Sequence, residues 1–94
     1  MQLETKRDYS EGDVIPHTDY CEVTLIDFDH TLYALESRDS LVQKINLTAL
    51  KEERMMSIFF WDEGDVKESF VNIDSIITVE HCDDQESIEI NTIF

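Results

Sequence analysis

Apolar residues begin to organise this chain only at Tyr20. Residues 1–19 are polar, carry Gly12 and Pro16 and show no apolar period, so they read as an extended arm ahead of a β-rich domain over 20–94. Tyr20 to Phe28 gathers Val23, Thr24, Leu25, Ile26 and Phe28 and predicts a strand. Cys21, Val23 and Leu25 line one face; Glu22, Thr24, Ile26 and Phe28 line the other. Both faces carry apolar side chains, which places the strand at the centre of the sheet. Asp27 to His30 reads as a turn or bulge, and Thr31 to Leu35 as a second strand.

Leu41 to Leu50 fits two periods. Period two aligns Leu41, Gln43, Ile45 and Leu47, whereas helical spacing aligns Leu41, Ile45 and Ala49. The expectation is a strand over 41–47 followed by a short helical segment over 48–54, which is built mainly from Ala, Leu, Lys, Glu and Arg. The clearest local signal comes next. Met55 to Trp61 is apolar and aromatic, Asp62-Glu63-Gly64-Asp65 follows, and Val66 to Ile73 resumes an extended pattern. Gly64 supplies the positive φ of a tight hairpin loop. Ser75 to His81 reads as another strand, Asp83 to Glu86 as a polar turn, and Ile88 to Phe94 as a last strand. The fold class expected is mainly β, or α+β: a small antiparallel sheet or barrel of five to seven strands.

Charge changes this picture most. With 22 acidic and 7 basic residues among 94, the formal net charge is −15. Phosphates would be repelled, so direct binding to nucleic acid or to an anionic membrane is not expected. No apolar run reaches the length of a membrane span, and residues 1–7 lack the apolar core of a secretory signal. A cytoplasmic location is the expectation. The acids are unevenly placed. Between Arg7 and Arg38 no Lys or Arg interrupts Asp8, Glu11, Asp13, Asp19, Glu22, Asp27, Asp29 and Glu36. From Asp62 onward Lys67 is the only base among ten acids. Between these blocks the charge is nearly balanced. Acids interleaved with Val, Ile, Phe and Tyr belong to faces of folded elements rather than to a solvated tail.

One segment carries an enzyme-like pattern. Val23-Thr24-Leu25-Ile26-Asp27-Phe28-Asp29-His30-Thr31-Leu32 resembles the first motif of the haloacid dehalogenase phosphatases, an apolar strand delivering Asp-x-Asp-x-Thr. The resemblance implies Asp27 as nucleophile, Asp29 as general acid/base, Thr31 as phosphate contact and magnesium held by the aspartates. It covers ten residues. Asp83-Asp84 matches the family's late acidic pair in position, but no lysine is marked as its phosphate ligand. The family also needs a doubly wound parallel sheet, and βαβ crossovers of about 30 residues each do not fit this chain. The segment therefore reads as a buried strand ending in an acidic turn, with no catalytic residue assigned.

Other chemistry is weakly signalled. His17, Cys21, His81 and Cys82 match a zinc set in type, but adjacent residues on a strand point to opposite faces. Asp62-Glu63-Gly64-Asp65 lacks the spacing of a helix-loop-helix calcium site. No metal or cofactor is expected. Cys21 and Cys82 read as two reduced, packed thiols.

The acidity itself is the candidate function. Residues i and i+2 on a strand lie about 6.5–7 Å apart, close to the step between backbone phosphates. Asp27/Asp29 and Glu63/Asp65 have this sequence spacing. Self-repulsion destabilises a compact acidic domain, so a surface kept this acidic invites a binding role. In type, the chain resembles small acidic inhibitors made by phages and mobile elements, such as anti-CRISPR, anti-restriction and uracil-DNA glycosylase inhibitors. The expected partner is a basic nucleic-acid-binding protein, such as a nuclease or defence effector. The expected contact residues are Asp13, Asp19, Glu22, Asp27, Asp29, Trp61, Asp62, Glu63, Asp65 and Glu68. Phe59, Phe60 and Trp61 cannot all face one core, so this stretch needs either a second layer or an interface. The alternatives are an acidic adaptor, immunity or antitoxin-like module and, more remotely, the phosphatase.

Overall fold

A computed structural model describes residues 9–28, 31–82 and 86–94. Among them run β1 (Val14–Ile15), a 3₁₀ turn (His17–Asp19), β2 (Cys21–Leu25), β3 (Leu32–Ala34), α1 (Arg38–Leu50), β4 (Met55–Asp62) and β5 (Asp65–Asn72). A second 3₁₀ turn (Ile73–Ser75), β6 (Ile76–His81), β7 (Ile88–Glu89) and β8 (Thr92–Ile93) follow. The fold is mainly β, as the sequence predicts. Six strands form one sheet in the order β6-β2-β3-β4-β5-β8, and β1 pairs with β7 in a small second sheet. Every pair is antiparallel except β5 with β8. That is not the doubly wound parallel sheet implied by the phosphatase resemblance.

The large sheet is curled without closing into a barrel. β6 and β5 stand four strand steps apart in the order, about 19 Å in a flat sheet at 4.8 Å per step. Only Ile73–Ser75 separates them in the chain, a link that spans about 14 Å at most. The sheet must therefore roll until β5 approaches β6. A cleft lined by Leu25 and Ile26 on one side and Phe70, Val71 and Asn72 on the other marks the resulting seam.

Strand periodicity divides the apolar residues between two cores. Val23, Leu32, Ala34, Met56, Ile58, Phe60 and Val71 line the inside of the curl, where Leu41 and Ile45 of α1 pack on them. The opposite face gathers Tyr20, Leu35, Val66, Cys82 and Ile90, with Tyr9, Ile15, Tyr33, Phe59, Trp61 and Ile93 packed around them. Phe60 thus faces one core while Phe59 and Trp61 face the other, which is the second layer that the aromatic run requires. No buried polar or charged residue interrupts either core among the described residues.

Two expectations need correction. Residues 41–47 are not a strand, and the helix does not begin near 48 but at Arg38, ending at Leu50. Ser37 caps it, its side chain accepting the Ser40 N–H, and Asp39 lies in the first turn, where a carboxylate complements the helix dipole. Only Leu41 is fully buried on this helix, while Leu47 and Leu50 face solvent. Its apolar stripe is too narrow to dominate the period-two pattern that the same residues make. Residues 88–94 form two short strands rather than one, because Ile90 turns into the second core and sends β7 and β8 to different sheets.

Residues 9–19 lie against the second core. Val14 and Ile15 pair with Glu89 and Ile88, and the Tyr9 hydroxyl donates to the Leu35 carbonyl at 2.6 Å. Among the described residues, no helix is long and apolar enough to cross a membrane.

Candidate functional site

The β4–β5 hairpin positions the second acidic block. Asp62 and Asp65 are cross-strand partners, so Glu63 and Gly64 form a two-residue loop, with φ of +52° and +96°. Positive φ at both positions is the type I′ geometry that matches strand twist. The turn is held from outside as well. The Gly64 carbonyl accepts the N–H groups of Asn91 at 2.7 Å and Thr92 at 3.1 Å. A Cβ at Gly64 would crowd the Asn91 side chain, which would have to move aside, and the positive φ is itself one that favours glycine. One premise of the sequence reading is overturned here. Glu63 is a turn residue, so Glu63 and Asp65 are not an i, i+2 pair on an extended strand. Asp27 also sits in a turn, with φ of +64°, and Asp29 lies outside the described residues.

Strand register builds a second feature. The pairings align Glu80, Glu22, Tyr33, Trp61, Val66 and Ile93 in one row across all six strands. Side chains in such a row share a face. It runs from acidic at β6 and β2, through aromatic at β3 and β4, to apolar at β5 and β8. Tyr33 stands between two rings, 5.5 Å and nearly perpendicular from Tyr20 and 5.9 Å from Trp61. Trp61 is pinned by its indole N–H, which donates to the Glu89 carbonyl at 2.7 Å. Burial raises the Tyr33 hydroxyl pKa, and the Glu22 charge raises it further. Tyr33 and Trp61 floor an open cleft with Thr31, Asp62 and Glu63 at its rim.

The antiparallel pairings bring the end of β2, the start of β3, the end of β4 and the start of β5 to one end of the sheet. Asp27, Asp62, Glu63 and Asp65 therefore share that end, with Trp61 just below. The other predicted contact residues lie elsewhere. Glu22 and Glu68 are on the same sheet face but three strands apart, and Glu68 accepts a hydrogen bond from Ser57 on β4. Asp13 accepts the Ser10 N–H at 2.8 Å, and Asp19 borders a cleft beside Glu36 and Lys44. Glu80, missing from the sequence prediction, is brought directly opposite Glu22. Only the register of two strands more than fifty positions apart places it there.

No protein-family model, curated protein or solved structure matches the chain. The site thus stands on its own geometry. Ion pairing among the described residues joins Arg38 to Asp39, Lys44 to Glu36 and Arg54 to Asp74, and Lys67 lies 5.1 Å from the Phe94 ring centre. None of these cations reaches a predicted contact carboxylate among the described residues. Cys21 and Cys82 are buried as thiols. Burial, then the neighbouring Cys82 and Glu36, push the Cys21 pKa up to about 12 against a weaker opposing pull from Arg38. A thiol held protonated in this way is a poor nucleophile and a poor metal ligand. What the site offers is fixed negative charge beside half-buried aromatic rings.

Proposed function

We propose that this protein is a small acidic nucleic-acid mimic that blocks a basic nucleic-acid-binding enzyme, acting by binding rather than by catalysis. The supporting observation is that Asp27, Asp62, Glu63 and Asp65 share one end of a folded sheet and meet no cation there among the described residues. Carboxylates left unneutralised on rigid elements present a standing negative field, and such a field steers a basic groove into contact. The partner class is a nuclease or defence effector, met in the cytoplasm.

Capture from a cell lysate on the immobilised protein tests this reading. Basic nucleic-acid enzymes are expected to be retained, then released by added duplex DNA or by raised salt, since steering between exposed charges is screened. Retention of only neutral or acidic proteins would overturn it. One tight partner indifferent to nucleic acid would replace it with an adaptor, immunity or antitoxin-like module.

A further inference from the structure

The cleft above Tyr33 and Trp61 sets a pair of aromatic rings beside acidic side chains. Two π systems 5.9 Å apart form its floor, and Asp62 and Glu63 stand at the rim. Glu22 flanks Tyr33 on the β2 side. The Trp61 N–H is already engaged by Glu89, so what remains for a ligand is ring surface and carboxylate oxygen. Ring faces and carboxylates both attract cations. A nucleobase would also stack on such rings, but its phosphates would be repelled by the rim.

Building on the mimic reading, we infer that this cleft receives an arginine side chain of the partner. A guanidinium is planar and weakly hydrated, stacks on aromatic faces and pairs with carboxylates through a fixed fork of donors. A lysine ammonium is a compact, strongly hydrated point charge and gains less from a ring floor. Arginine is also the residue with which basic grooves grip phosphates in two-point fashion, so the cleft engages the same side chains that nucleic acid would occupy.

The sole tryptophan, Trp61, reports occupancy directly. The intact protein is titrated with three short peptides of equal length, one rich in arginine, one with lysine and one with citrulline in its place. The arginine peptide should change Trp61 fluorescence saturably and bind about tenfold more tightly than the lysine peptide, the margin of a partly desolvated stacked cation. The citrulline peptide should leave the signal unchanged. Tyr33→Leu should weaken arginine-peptide binding about tenfold, and Glu63→Gln, at an exposed turn position that keeps the fold, about threefold. Equal affinity for the arginine and lysine peptides, or binding without a Trp61 response, would overturn the inference. Lysate capture separates the two ideas. If basic nucleic-acid enzymes are retained but the arginine peptide leaves Trp61 silent, the cleft falls and the mimic stands. If the peptide fills the cleft but no such enzyme is retained, the mimic falls and an arginine-reading cleft remains.

Discussion

Beneath α1, the inside of the curled sheet is packed with aliphatic and aromatic side chains. Across the sheet, the row through Glu80, Glu22, Tyr33 and Trp61 mixes charge with half-buried rings, and two glutamates face each other directly. Like charges opposite one another in a sheet are destabilising. The difference teaches which face sets stability and which is available for recognition. The inner face is optimised for burial alone, while the outer face keeps an electrostatic conflict that packing could have removed.

Substitution on the inner face should have the largest effect. Leu41→Ala removes the one fully buried side chain of α1 and should destabilise the protein by about 3 kcal/mol in chemical unfolding. A loss under about 1 kcal/mol would mean that the helix is not essential cover. Alkali should come next. The raised pKa values of Cys21, Tyr20 and Tyr33 mean that the folded state holds these protons more tightly than the unfolded state. Their contribution is fully present below the unfolded values. Stability should therefore fall as pH rises from 9.0, the unperturbed thiol value, to about 12, the Cys21 value, because the unfolded state then binds fewer protons. Thermal unfolding across this range, with a Cys21→Ala comparison, measures the thiol's share; an unchanged slope in the variant would remove Cys21 from the account.

The acidic hairpin should respond more mildly. Gly64→Ala meets both the positive φ and the Asn91 side chain and should cost about 1–2 kcal/mol. Adding Asn91→Ala should relieve the crowding and leave the backbone strain, so a fully additive double variant would exclude the contact. The smallest effect belongs to the outer row. Glu80→Gln removes a like-charge neighbour and should raise stability by about 0.5 kcal/mol at low salt, with the gain shrinking as salt increases. A loss of stability there would erase the contrast between the faces.

Local chemistry was legible in the sequence, and register was not. Gly64 announced the hairpin, because a two-residue loop between extended runs has few solutions, and the β-formers of Tyr20–Phe28 announced β2. The helix was hidden by its own exposure. Leu47 and Leu50 face water, so the apolar positions of α1 trace only a narrow stripe, which the period-two pattern of the same residues masks. Asp27, Asp62, Glu63 and Asp65 were visible as acids, but their common end of the sheet depends on the pairing of β2, β3, β4 and β5. Glu80 was passed over because its partner Glu22 lies far away in the chain. The aromatic floor needed both Tyr33 and Trp61, and no local pattern links those positions.

The pairing of β2 with β6 joins Cys21 to His81 and Leu25 to Ile76. Such distant partners meet only after a large loop has closed, which makes this pairing a slow, entropically costly step on the way to the native state. It is also the step that forces Glu22 against Glu80. Repulsion between them therefore acts on the kinetics of assembly: moderate salt should speed refolding in a stopped-flow experiment, and should speed it less once Glu80 is neutral.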